Sequence, residues 1–205
     1  MNIIMTGSTS FVGAATVREL LRRGHTVTAI VRPKSSKLDT ILEGNEEALL
    51  SGRLLVTEND LSEPEKLLEK VTKPQDVFCH FGWGGSGSAS RTDKALQEKN
   101  MEISLETIRT AKALGCKKFL FSGSQAEYGM HQDLITEDTV CEPKSLYGEA
   151  KLAMREKGEK LCDELGLRYI HARIFSAYGP GDHPWTLVES CLDAFLNNKE
   201  MSLGA

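Results

Sequence analysis

A basic surplus, paired cysteines and long apolar runs are all missing from this 205-residue chain, and each absence removes a class of function. Lys and Arg number 25 against 29 Asp and Glu, a net charge of -4, so no cationic excess exists to neutralise a nucleic-acid backbone or an anionic membrane surface. The five cysteines (Cys79, Cys116, Cys141, Cys162, Cys191) are odd in number and scattered, without a Cys-x-x-Cys pair, and the five histidines form no ligand-spaced pair. That argues against a disulfide frame and against a zinc site, and for reduced thiols. No apolar stretch approaches bilayer length, and Asn2-Ile3-Ile4-Met5 carries neither a basic leader nor a cleavable apolar run. The expectation is a soluble, cytoplasmic protein with no metal, no nucleic-acid partner and no membrane partner.

What is present is an ordinary globular balance, 40% hydrophobic and 26% charged, at a length that holds one domain with a sizeable core. Asn2 to Thr6 is a short apolar run that breaks at Gly7. From Phe11 the apolar residues recur at helical spacing until Gly24. Thr26 to Val31 is β-branched and reads as a second strand, so the chain opens with a βαβ unit and a parallel strand pair. Leu54–Val56, Asp76–Phe81, Lys117–Ser122 and Arg168–Phe175 predict four further strands. Between them, helices are expected from Ser62 (with Glu65 completing a capping box), from about Thr92 to Leu114, and from near Leu146 to about Leu165. A last helix is expected from about Trp185 to Asn197. Six such steps in series specify an α/β fold, a doubly wound parallel sheet with helices on both faces.

Three stretches carry chemistry. Gly7-Ser8-Thr9-Ser10-Phe11-Val12-Gly13 lies between the first strand and the first helix, where a glycine turn and the free N–H groups of a helix start face a pyrophosphate. The usual pattern has a glycine where Ser10 stands. At the end of the second strand Arg32 occupies the region where an NAD site offers an acidic side chain, and a guanidinium pairs well with a 2′-phosphate, so NADP is favoured and NAD is the alternative. In Ser145-Leu146-Tyr147-Gly148-Glu149-Ala150-Lys151 the tyrosine and lysine are four residues apart on one helix face. That spacing would place the ammonium near the phenol and lower its pKa. The small-residue loop Gly82 to Ser90 follows a strand and reads as an active-site loop.

Together these stretches resemble the extended branch of the short-chain dehydrogenase/reductase superfamily, the NAD-dependent epimerase/dehydratase family acting on nucleotide sugars. Thr6 to Gly13 looks like the family's TGxxGxxG turn, and Asp60-Leu61 like its adenine-contacting pair. His80-Phe81-Gly82-Trp83 stands where members have a strand end beside the nicotinamide, and Asn100 matches the asparagine of a long fourth helix. Phe121-Ser122-Gly123-Ser124 with Tyr128-Gly129 looks like the strand that delivers a catalytic serine. Arg173, Phe175 and Tyr178-Gly179-Pro180-Gly181 are similar to R-x-x-N-x-Y-G-P-G, with Ser176 where the family has an asparagine.

The resemblance implies a Rossmann-like NAD(P)-binding domain over 1–175 and the beginning of an incomplete substrate-binding region over 176–205. It implies catalysis by Ser124, Tyr147 and Lys151, with cofactor contacts from Gly7, Ser10, Phe11, Val12, Gly13, Arg32, Asp60, Leu61, Phe81, Gly82, Trp83, Asn100, Tyr147, Lys151 and Phe175. Ser124, Gln125 and Ser176 would meet the substrate. Gln125 and Ala126 stand where dehydrating members carry an acidic pair, which disfavours dehydration. The leading expectation is NADPH reduction of a 4-keto nucleotide sugar, the second a nucleotide-sugar 4-epimerase that retains NAD. A catalytically silent dinucleotide sensor or scaffold is the alternative of another class. By resemblance the helices near Thr92 and Leu146 pair in a homodimer.

Overall fold

Each βα step of the chain closes as its hydrophobic period dictates. The computed structural model describes residues 1–85 and 89–201, so the expectations for the loop Gly82–Ser90 and for the last residues fall partly outside it. β1 (Asn2–Thr6), β2 (Thr26–Val31), β3 (Leu54–Glu58), β4 (Val77–His80), β5 (Lys118–Ser124) and β6 (Arg168–Ile174) form one parallel sheet in the order β3-β2-β1-β4-β5-β6. The order reverses between β1 and β4, which opens a crevice at the carboxyl ends of the strands.

Alternate residues of β1 feed the two faces. Ile3 and Met5 join Ala14, Val17 and Leu21 of α1 (Phe11–Arg22), together with Ile41 of α2 (Asp39–Leu42) and Ala48 of α3 (Glu46–Leu50). Ile4 points the other way, to a cluster with Phe78, Phe119 and Phe121 of the sheet. There it meets Leu67 of α4 (Leu67–Lys70), Ile108 and Ala111 of α5 (Lys94–Ala113), and Met154 and Cys162 of α6 (Leu146–Leu165). A sheet buried on both faces has continuous rather than alternating apolar strands, as β1 and β2 do.

Caps fix the long helices. Ser10, Asp93 and Ser145 each accept a backbone N–H from the first turn of α1, α5 and α6, and α6 stops at Gly166 with φ +65°. One expected cap does not form. Ser62 gives its N–H and hydroxyl to Asp60 Oδ1, at 2.8 and 2.6 Å, and Pro64 starts a short 3-10 turn (Pro64–Lys66) ahead of α4. The local Asp60 turn outcompetes the Ser62–Glu65 box. β5 runs two residues beyond Ser122, to Ser124. The chain divides into two compact units, Met1–Phe175 and Ser176–Ala205; the second contains α7 (Leu187–Leu196). No helix among the described residues is long and apolar enough to cross a membrane.

Candidate active site

The turn after β1 is shaped by two glycines. Gly7 has φ +67°, and a Cβ there would lie 2.7–2.8 Å from the backbone of Phe81 and Gly82; a Cβ on Gly13 would lie 2.0 Å from the Gly7 carbonyl. Ser10 has ordinary extended angles, so no glycine is needed there for backbone freedom. Its hydroxyl donates to Gly7 O (2.7 Å) and accepts from Gly13 N–H (3.1 Å), tying the turn shut upon itself. The N–H groups of Phe11 and Val12 have no partner among the described residues.

Around this turn the ends of the neighbouring strands interlock. Phe81 N–H reaches Thr6 O and Gly82 N–H reaches Thr6 Oγ1, both at 3.2 Å. Leu61 packs against Gly82 so closely that a Cβ would sit 2.7 Å from its Cδ1. His80 is fully buried, between Thr6 Oγ1 (2.8 Å) and Ser104 Oγ (3.2 Å). Ser104 gives its own proton to Asn100 O, so His80 Nε2 carries the hydrogen and Nδ1 accepts from Thr6. Burial, aided by Lys151, pulls its pKa down to about 3, so the ring is neutral. Asn100 is spent on structure: its amide holds both the N–H and the carbonyl of Gly84. On the other flank Arg32 is exposed and stands near enough to Asp60 to help lower its carboxyl pKa, after the two hydrogen bonds from Ser62.

Ser124, Tyr147 and Lys151 come together at the end of β5. β4 pairs with β5 only as far as His80 opposite Phe121, and beyond that point side chains replace the missing strand. Lys151, 2% exposed, donates to Ser122 O at 2.8 Å. Its ammonium lies 3.9 Å from the centre of the Trp83 ring, 4.6 Å from that of Phe121 and 5.7 Å from that of Tyr147. Trp83 stands edge-on to Tyr147 at 6.3 Å and is pinned by Nε1–H to Gln97 Oε1 at 3.0 Å. Burial brings the Lys151 pKa down to about 7 against the opposing pull of Glu127.

The phenol departs from the expectation. Burial raises the Tyr147 pKa, Ser124 and Arg91 partly offset this, and Glu127 adds to the rise. The Lys151 ammonium is engaged with the Ser122 carbonyl and the Trp83 face, so it does not produce the lowering that the i,i+4 spacing implies. Ser124 is near enough to act on Tyr147, while the 3.2 Å contact of its hydroxyl is with Ala126 N–H. Arg91, unnoticed in the sequence, lies 5.0 Å above the Tyr147 ring.

A second cluster also escaped sequence reasoning. Glu127, fully buried, accepts from Ser124 N–H (2.7 Å), from Arg173 Nε (2.8 Å) and from His171 Nε2 (3.0 Å to each oxygen). The readable signal was the spacing Ser124-x-x-Glu127, a capping box that the structure forms around Gln125–Glu127. Arg173 also donates to Tyr128 Oη at 2.7 Å. Beside it a cavity of about 320 Å³ is lined by Tyr128, Ile135, Thr136, His171, Arg173 and Phe175. Phe175 is 46% exposed and Gln125 is exposed, while Ser176 belongs to the second unit. No cluster of three metal-ligating side chains occurs among the described residues.

Comparison with known proteins gives a consistent picture. The model of the NAD dependent epimerase/dehydratase family matches residues 3–203. D-erythronate dehydrogenase of Cupriavidus necator is 30% identical over 178 residues, 85% of this chain and 53% of that protein. UDP-glucose 4-epimerase of Lactobacillus helveticus is 28% identical over 185 residues, 87% of this chain and 52% of that one. Among solved structures, UDP-N-acetylglucosamine 4-epimerase from Methanobrevibacter ruminantium M1 superposes with a TM-score of 0.80 at 25% identity, covering 97% of this chain and 63% of that one. UDP-glucose 4-epimerase from Thermotoga maritima shares the fold, with a TM-score of 0.81 at 24% identity over 100% of this chain and 66% of the other. The chain spans about half to two-thirds of the length of these relatives.

Proposed function

Because the chain belongs to the NAD dependent epimerase/dehydratase family, we propose that residues 1–175 bind a nicotinamide dinucleotide and act on a nucleotide-linked sugar through Ser124, Tyr147 and Lys151. The observation that carries this is the convergence of those three side chains at the carboxyl end of β5, beside Trp83, in the sheet whose β1 turn packs closely through Gly7 and Gly13. Residues 176–205 begin the substrate-binding region, with Ser176 contributing to it.

The turn suits a diphosphate. A side chain at position 7 or 13 would strike the backbone of Phe81 and Gly82 or the Gly7 carbonyl and force the turn apart, and the Phe11 and Val12 N–H groups offer donors at a helix start. When bound, the dinucleotide supplies or accepts the hydride. Tyr147 would exchange the proton of the sugar hydroxyl, Ser124 would hold that oxygen, and Lys151 would supply a cation that titrates near neutrality 5.7 Å from the centre of the Tyr147 ring. Ser124 Oγ accepts from Ala126 N–H, which leaves its own proton free to donate to the substrate oxygen.

Two versions of this chemistry use the same residues. Exposed Arg32 after β2 favours NADPH and reduction of a 4-keto sugar. Likeness to two UDP-glucose 4-epimerases favours epimerisation, in which a retained NAD would take a hydride from the sugar and return it. Calorimetric titration with NADPH and NADH separates them: tighter NADPH binding that Arg32→Ala abolishes supports the reductase, and NADH binding indifferent to Arg32→Ala supports the epimerase. No binding of either would overturn the proposal. The outward faces of α5 and α6 are the proposed dimer surface, which sedimentation would test.

A further inference from the structure

We propose that Glu127 is the positioning residue of this site, holding the backbone of Ser124 in place at the strand end that Lys151 grips at Ser122. This rests on the reading of Ser124, Tyr147 and Lys151 given above. The last three residues of β5 are gripped from two directions by buried charges of opposite sign. Lys151 Nζ donates to the carbonyl of Ser122, and Glu127 accepts the N–H of Ser124. Both side chains are shut off from bulk solvent, Lys151 at 2% and Glu127 at 0% exposure. A buried charge persists only where other groups replace its solvation.

For Glu127 those groups are counted easily. From β6 come Arg173 Nε and His171 Nε2, from β5 the Ser124 amide. Tyr169, also on β6, determines what His171 can do. Its hydroxyl has one proton and two partners, Met154 O at 2.9 Å and His171 Nδ1 at 3.0 Å. Where Tyr169 donates to Nδ1, Nε2 bears the ring's hydrogen and points at Glu127, giving the carboxylate three kinds of donor. Burial alone would push its pKa up, but His171, Arg173 and the Ser124 amide together bring it below the ordinary value. Space for the cluster is reserved by Gly123, where a Cβ would lie 2.5 Å from His171 Nε2 and 2.6 Å from Glu127 Oε1.

The buried carboxylate acts on every member of the site. Through the amide it fixes the backbone of Ser124. Across the strand end its charge opposes the desolvation of Lys151, and it discourages the Tyr147 phenolate. The groups facing it are therefore His171, Arg173 and Tyr169 from β6, Lys151 and Tyr147 from α6, and Tyr128 next in sequence. A neutral Glu127 would free Ser124 and let Lys151 lose its proton at lower pH.

The test is Glu127→Gln, followed by NMR titration of the labelled Lys151 amine and by the Ser124 amide shift. The titration is expected to fall by about one pH unit, leaving roughly a tenth of Lys151 charged at neutral pH instead of about half. The Ser124 amide is expected to move upfield. An unchanged Lys151 titration with an unchanged Ser124 amide overturns the proposal. Should the variant fail to fold, the wild-type Glu127 carboxyl carbon serves: it is expected to stay ionised down to its ordinary pKa of 4.5, and protonation at or above that value overturns the proposal. If the titration moves as expected but wild-type protein transfers no hydride, the positioning stands and the functional reading is what fails.

Discussion

Replacing Lys151 by Met should change stability by an amount that depends steeply on pH. Burial carries the ammonium from 10.5 down to about 7, while the unfolded chain keeps its lysine proton until near 10.5. Between those values the unfolded state holds more protons, so wild-type stability rises with pH across this window. Below the folded pKa both states are charged and the cost of burying the cation is fully present, about 5 kcal/mol at about 1.36 kcal/mol per pH unit. Above the unfolded pKa that cost is gone. Met lacks the charge and therefore lacks the pH-dependent cost, but it orphans the Ser122 carbonyl, which costs about 1–3 kcal/mol at any pH. It also loses the cation over the Trp83 ring, worth up to about 2 kcal/mol. The two variants should be near parity at about pH 6, and wild type should gain about 4 kcal/mol over Lys151→Met by about pH 10. Urea unfolding of both proteins across this range measures the difference, and titrations common to both cancel. A difference that does not change with pH would refute the reasoning, because it would mean that Lys151 is not buried as a cation.

Other consequences can be checked independently. Gly13→Ala places a Cβ 2.0 Å from the Gly7 carbonyl, so the turn must open; a loss of about 1–3 kcal/mol is expected in thermal unfolding, together with weaker dinucleotide binding by calorimetry. Arg91→Met removes the cation 5.0 Å above the Tyr147 ring and should move the ionisation of that phenol to higher pH, read by ultraviolet difference titration. Burial pushes the thiols of Cys79, Cys116 and Cys162 to about 11, 12 and 12, so they should resist alkylation in the native protein at neutral pH and react once it is unfolded. Cys141 and Cys191, half-buried, should react first.

Much of the scaffold was legible because its signals are local. The apolar run of β1, the break at Gly7 and the helical spacing from Phe11 each reflect a short-range rule. The Ser62–Glu65 box satisfied the same kind of rule and still failed, because Asp60 and Pro64 offered the chain a tighter local alternative. Within the site, the types and spacing of Tyr147 and Lys151 were visible, but the effect of one on the other was not. Whether an ammonium lowers a phenol depends on what else it touches, and Lys151 touches Ser122 and Trp83, which are far from it in sequence. Glu127, His171 and Arg173 became neighbours only through the pairing of β5 with β6, which sets Gly123 opposite Arg173. Contacts made by strand register have no short-range signature, and the capping box was the sole local trace of this cluster.

Whether Ser124, Tyr147 and Lys151 form one hydride-transfer site is tested by a single turnover on protein-bound dinucleotide. Nucleotide sugars are mixed with the oxidised form, and 4-keto nucleotide sugars with the reduced form, while nicotinamide absorbance is followed in wild type and in Tyr147→Phe. The account predicts an absorbance change in wild type and a rate about 100-fold lower or less in the variant, the loss typical of removing a positioned acid or base. Equal rates in the two proteins would contradict it.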